Sequence, residues 1–305
     1  MIIVVAPGQG SQTPGFLAPW LELGGAAELL GSLSEAAGVD LITHGTLSDA
    51  ETIRDTAIAQ PLIVAAGILT LDALAESDHL AKTGGIAGHS VGEFTAAAGA
   101  GVLDATDAVR LVGIRGRAMA EAAALEATGM SAVIGGEESD VLASLDAHGL
   151  SPANYNGGGQ LVVAGPLSGL AALAENPPAG TRVIPLQVAG AFHTSYMSSA
   201  VETLRLAAYN ANTNAPTKRL WTNRDGSIVT DGQAFRDLLV GQVASPVRWD
   251  KCMQSFEAAG VTGIIELAPA GALVGLAKRA LKGIPAVAIK TPDDLAAARD
   301  LIDSL

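Results

Sequence analysis

Ser90 is the residue best placed for covalent chemistry. It stands in Gly88-His89-Ser90-Val91-Gly92, a G-x-S-x-G pattern between the apolar piece 84–88 and a helical run from Glu93 to Gly101. In that setting a sharp strand-to-helix turn lifts the hydroxyl clear of a sheet, and small neighbours permit the tight backbone. The N-terminus of the following helix then offers free N–H groups and partial positive charge to an oxyanion. The competing reading is a glycine-rich turn whose serine merely caps a helix. The strand-like piece before it favours the nucleophile.

A nucleophilic serine needs a base, and the chain has five histidines, His44, His79, His89, His148 and His193. His44, His79 and His148 lie in polar, turn-like stretches and read as surface residues. His89 adjoins the serine, so its side chain leaves the backbone in another direction. His193, in Val188-Ala189-Gly190-Ala191-Phe192-His193-Thr194, stands among small residues that let a second group approach. It ranks first, although spacing alone is equally compatible with a structural histidine.

Arg115 is an independent clue. Ala108, Val112, Arg115 and Met119 form one stripe of a helix predicted over 105–127, so the guanidinium falls on the core face. A buried cation needs an anion or a cluster of carbonyls. An internal salt bridge would serve; so would bidentate capture of a substrate carboxylate, which suits arginine. No third glycine follows Gly8-Gln9-Gly10-Ser11-Gln12 to complete a dinucleotide fingerprint, and no P-loop or metal-spaced His/Cys pair occurs, so neither a nucleotide cofactor nor a metal is expected.

These residues need a scaffold. Met1 to Ala6 has no basic region before its apolar stretch and reads as a buried strand rather than a signal peptide. Its β-branched run ending at Pro7-Gly8 has the character of a central strand in an α/β sheet, whose ligands bind at the carboxyl ends of the strands. Helical patterns follow at 24–37, 58–76, 92–101 and 105–127. Between 130 and 190 the order changes to strand 130–135, helix 137–148, strands 151–155 and 160–165, helix 167–175 and strand 182–188. This βαββαβ series predicts a ferredoxin-like subdomain at 128–190 inserted into a large α/β domain made of 1–127 and 191–305. Helices near 197–209, 232–243, 248–259 and 271–281 and strands at 219–222 and 262–267 complete the large domain.

Composition narrows the class. With 305 residues, 49% hydrophobic, 16% charged and a mean hydropathy of +0.36, the chain can bury a substantial core. Apolar runs such as 61–70 are broken by Asp72 and Glu76, so no membrane span is expected. The net charge of −13 argues against nucleic acid as a partner. That charge is uneven: residues 1–126 hold 5 basic and 15 acidic groups, whereas 191–305 hold 12 and 11. An anionic ligand is therefore expected to meet the C-terminal third, with Lys218, Arg219, Arg248, Lys251, Lys278, Arg279 and Lys282 as the pool. The single cysteine, Cys252, forbids an internal disulfide and suits a reducing cytoplasm. No apolar helix stands out as exposed, which favours a monomer.

Together, Pro7-Gly8-Gln9-Gly10-Ser11-Gln12, Gly88-His89-Ser90-Val91-Gly92-Glu93, Arg115-Gly116-Arg117-Ala118-Met119, Gly190-Ala191-Phe192-His193 and Gly241-Gln242-Val243-Ala244-Ser245-Pro246-Val247-Arg248-Trp249 resemble the malonyl-CoA:acyl carrier protein transacylases of type II fatty acid synthesis. The Ala-rich, Lys-poor composition looks actinobacterial. The resemblance implies an α/β-hydrolase-like large domain with Ser90 as nucleophile and His193 as base. It further implies that the Gln242 carbonyl orients His193 in place of an acid, and that the Gln9 and Val91 N–H groups hold the oxyanion. Arg115 would clamp the malonyl carboxylate, Gln60 would line the pocket, and Asn156 would lie near the acyl group. In related domains Phe before the catalytic histidine goes with malonyl and Ser with methylmalonyl; here it is Phe192. Malonyl-CoA and an acyl carrier protein would be the partners, with no cofactor. A polyketide acyltransferase, a serine thioesterase or hydrolase, and a non-catalytic carrier-protein docking module remain as alternatives.

Overall fold

The computed structural model describes residues 1–304. Its larger sheet has six strands in the order β10-β9-β1-β2-β7-β8. They are β1 (Ile2–Ala6), β2 (Gly85–Gly88), β7 (Arg219–Trp221), β8 (Ile228–Val229), β9 (Gly263–Glu266) and β10 (Ala286–Ala288). All pairings are parallel except that of β7 with β8. Alternation along β1 explains its unbroken apolar run: Ile2, Val4 and Ala6 enter the main core, while Ile3 and Val5 enter a second core with Trp221, Trp249 and Phe256.

The helix Thr56–Ala75 is the centre of the main core. Asp55 caps it by accepting from the Ala57 N–H at 2.8 Å, and sixteen of its twenty residues are buried. Its length and composition would suffice to cross a bilayer, since Asp72 is its one charged residue, contrary to the expectation that such runs are too short. Packing against the helix Ala105–Ala123 and the sheet accounts for its apolar surface.

The smaller sheet runs β4-β5-β3-β6 and is wholly antiparallel, built from β3 (Thr128–Gly135), β4 (Ser151–Gly157), β5 (Gln160–Pro166) and β6 (Thr181–Pro185). With the helices Glu138–Ala147 and Leu167–Glu175 it has the ferredoxin-like βαββαβ order, around its own core of Val133, Leu145, Leu161, Val163 and Leu173. It is tied to the large domain at one edge. The Tyr155 N–H donates to the Val247 carbonyl (2.8 Å), the Val247 N–H donates to Ala153 (2.9 Å), and the Arg248 guanidinium stacks 4.4 Å from the Tyr155 ring centroid.

Several boundaries differ from the sequence reading. The helix begun at Ala105 ends at Ala123, because the chain must turn to enter β3 at Thr128. Strand β6 stops at Pro185; Leu186 still donates to Met130 at 2.9 Å, and 187–190 are irregular. The helices Leu41–Thr46 and Leu295–Asp303 and the short strands β8 and β10 were not predicted.

Candidate active site

Register brings the first two motifs together. Ala6 in β1 is the partner of Gly88 in β2, so the loops after both strands leave the same edge of the sheet side by side. The turn at Ser90 is as tight as its glycines suggest. A Cβ on Gly88 would lie 2.0 Å from the Gly92 carbonyl carbon, and one on Gly92 would lie 2.3 Å from the Ala6 oxygen. Ser90 itself has φ of 52°, a left-handed conformation unfavourable for a non-glycine residue. Asn223, following β7, holds it there: its Oδ1 accepts the Ser90 N–H at 2.7 Å and its Nδ2 donates to the Gly88 carbonyl at 2.7 Å.

His193 stands eight residues beyond the end of β6, in an irregular segment. Its Nε2 lies 2.7 Å from Ser90 Oγ, and its Nδ1 lies 2.9 Å from the Gln242 carbonyl. A carbonyl only accepts, so Nδ1 carries the proton and Nε2 is free to take the serine's. Burial, and then the nearby Arg115 charge, push the imidazole down to about 3, which keeps it neutral at physiological pH, with Nε2 unprotonated. Like Ser90, His193 has a left-handed φ, 62°.

Arg115 lies on the core face as its stripe requires, 1% exposed. It donates to Gln60 Oε1 (2.6 Å) and Gln242 Oε1 (2.9 Å), with a long contact to Ser90 Oγ (3.5 Å). Burial lowers its pKa to about 10, opposed by Glu93, so it stays charged at neutral pH. No carboxylate among the described residues forms an ion pair with it. Two of its five N–H groups are held by amide oxygens, its Nε–H has no partner, and the remainder can meet an anion beside Ser90.

A cavity of about 90 Å³ joins these groups, lined by Gln9, Gln60, Ser90, Val91, Arg115, Phe192 and His193 from the large domain and by Met130, Asn154, Val162 and Leu186 from the small sheet region. The backbone N–H groups of Gln9 and Val91 make no hydrogen bond among the described residues and so remain available to an oxyanion. A wider cleft of about 430 Å³ opens outward past Gly8–Ser11 and the helix Ala272–Ala280. Of the seven basic residues proposed for an anionic ligand, only Arg279 lines either space. Lys218 instead reaches the Leu80 carbonyl, and Arg248 pairs with Asp250.

Asn156 is not at the acyl cavity. It lines the outer cleft, where its Oδ1 meets His89 Nε2 at 2.9 Å, while Asn154, two residues back along β4, lines both spaces. His89, set aside on sequence, is buried at the junction of cavity and cleft. Asn223 and Glu93 were also missed. Glu93 could have been noticed as an acid in the first turn of a helix predicted to be apolar.

The chain matches the acyl transferase domain model over residues 3–294. It is 53% identical to the malonyl CoA-acyl carrier protein transacylase of Mycobacterium tuberculosis, covering 97% of this chain and 98% of that one. It is 35% identical to the Escherichia coli K12 protein of the same name, covering 97% and 98%. The crystal structure of the M. tuberculosis enzyme superposes with a TM-score of 0.96 at 52% identity, over 98% of this chain and 99% of that one. A malonyl-transacylase solved with its type II polyketide synthase acyl carrier protein superposes at 0.90 with 30% identity, covering 98% and 99%. A serine and an unpaired arginine facing one small cavity, on a scaffold shared from end to end with these proteins, place the chain in the acyl transferase domain family, among the malonyl-CoA:acyl carrier protein transacylases.

Proposed function

We propose that the chain moves a malonyl group from malonyl-CoA to the phosphopantetheine thiol of an acyl carrier protein through a malonyl ester on Ser90. The observation that carries this is Arg115: a charged guanidinium with free N–H groups, no acidic partner and a 3.5 Å approach to the nucleophile selects acyl groups ending in a carboxylate.

Ser90 Oγ gives its proton to His193 Nε2 as it attacks the thioester carbonyl. The Gln9 and Val91 N–H groups receive the developing oxyanion. Collapse breaks the C–S bond, and His193 returns the proton to the departing CoA sulfur. The carrier thiol then enters along the wider cleft, loses its proton to His193 and attacks the ester, restoring the Ser90 hydroxyl. The small cavity leaves little room for bulk water beside the ester, which favours an incoming thiol delivered in register. No step requires a cofactor or a metal.

Intact-mass analysis after incubation with malonyl-CoA tests the reading. The expected result is one malonyl adduct, lost on Ser90→Ala and discharged by a carrier protein; release to water at the same rate would establish a hydrolase. A polyketide carrier is a second reading, favoured by the similarity to the transacylase solved with such a carrier. Transfer rates to the two kinds of carrier protein separate them.

A further inference from the structure

Beneath the Ser90 turn lies a carboxylate that the transfer steps do not use. Glu93, on the helix Gly92–Gly99, is 1% exposed. Its Oε1 accepts the Asn223 backbone N–H at 2.7 Å, and its Oε2 accepts from Gln242 Nε2. Gln242 Nε2 also donates to the Ser90 carbonyl at 3.0 Å, while Gln242 Oε1 faces Arg115 at 2.9 Å.

This arrangement has only one polarity. Arg115 can only donate and the Ser90 carbonyl can only accept, so the Gln242 amide turns its oxygen toward the guanidinium and its NH₂ toward Ser90 and Glu93, whose carboxyl burial pushes up to about 8. The reverse orientation would place N–H against N–H at Arg115. Beyond the long contact to Ser90 Oγ and the Phe94 ring 6.0 Å away, the other close hydrogen bond that fixes Arg115 is to Gln60. Glu93 therefore lies two hydrogen bonds from the guanidinium, through the Gln242 side chain.

We propose that Glu93 is a positioning residue for recognition of the substrate carboxylate, acting through the Gln242 side chain on Arg115. The proposal rests on the malonyl-transfer reading. Glu93→Gln is the informative change because the two partners respond differently. The Asn223 N–H is backbone and cannot turn, so the new amide keeps its oxygen there and presents NH₂ to Gln242. Gln242 must then flip or withdraw, and Arg115 loses one of its two amide hydrogen bonds.

The measurement is the rate of Ser90 acylation under kcat/KM conditions with malonyl-CoA and with acetyl-CoA, a donor without the carboxylate. Loading of the unaltered chain by malonyl-CoA checks the function itself. For Glu93→Gln the ratio of malonyl to acetyl specificity is expected to fall about tenfold or more, chiefly through KM for malonyl-CoA. Glu93→Asp, which keeps a carboxyl group on a shorter stem, should fall between the two. A purely structural role would lower both donors together. An unchanged ratio in both variants overturns the proposal, whatever the absolute rates.

Discussion

Ser90 and His193 meet across 2.7 Å with both backbones in the left-handed region, at φ of 52° and 62°. Two such residues facing each other are held by their surroundings rather than by local preference. For Ser90 the restraint is Asn223, which grips the backbone at Gly88 and Ser90, while the Gln242 carbonyl orients the His193 ring.

The histidine's environment sets the pH behaviour. An ordinary imidazole loses its base form as pH falls through about 6.5. Here burial and Arg115 push that midpoint down to about 3, so lowering the pH from 7 to 5 leaves the base neutral. Single-turnover malonyl loading should be nearly flat over this range. A fall centred near the ordinary histidine value would contradict the buried, carbonyl-oriented imidazole.

Arg115 supplies the carboxylate contact, and each hydrogen bond to a charged group contributes about 1.5–3 kcal/mol. Arg115→Ala should lower kcat/KM for malonyl-CoA about 10- to 100-fold or more while sparing acetyl-CoA. Arg115→Lys should recover little, because one ammonium cannot span the Gln60 and Gln242 oxygens and an incoming carboxylate together. Steady-state rates with the two donors provide the comparison.

Asn223→Ala removes the acceptor for the Ser90 N–H and the donor to Gly88 at once. A nucleophile displaced by a fraction of an ångström should lower kcat about 10- to 100-fold with little change in KM for malonyl-CoA. Two buried groups also lose partners, so the melting temperature should drop by several degrees. Thermal denaturation beside steady-state kinetics tests both halves.

Phe192 is 6% exposed and lines the acyl cavity beside His193. Phe192→Ser should admit a methyl branch at the α-carbon. A methyl in such a pocket accounts for about 1–3 kcal/mol, so preference for malonyl- over methylmalonyl-CoA should weaken about 10-fold or more in direct competition. An unaltered preference would make Phe192 ordinary core packing.

Local patterns revealed the groups whose role depends on their immediate neighbours. Ser90 was legible because its turn needs Gly88 and Gly92, and Arg115 because a helical stripe betrays an inward cation. Asn223 was not, since it follows a three-residue strand and acts on a serine 133 positions away. Glu93 was hidden for a related reason: its partners, Gln242 and Asn223, converge only in the folded chain. Strands β8 and β10, of two and three residues, owe their existence to pairing with neighbours rather than to their own composition. Asn154 was not singled out because which of two nearby asparagines on β4 reaches the cavity is visible only in the folded chain.

The link between β4 and Val247 joins two otherwise separable jobs. Met130, Asn154 and Val162, which shape the acyl cavity, come from one continuous stretch of chain, whereas Ser90, Arg115 and His193 stand outside that sheet. The wall that measures the cargo could thus be exchanged as a cassette without disturbing the reacting atoms. The constraint on any such exchange is the pair of hydrogen bonds at Val247, five residues from the carbonyl that aims His193: a replacement wall must dock on that same short seam or it will put the base out of alignment.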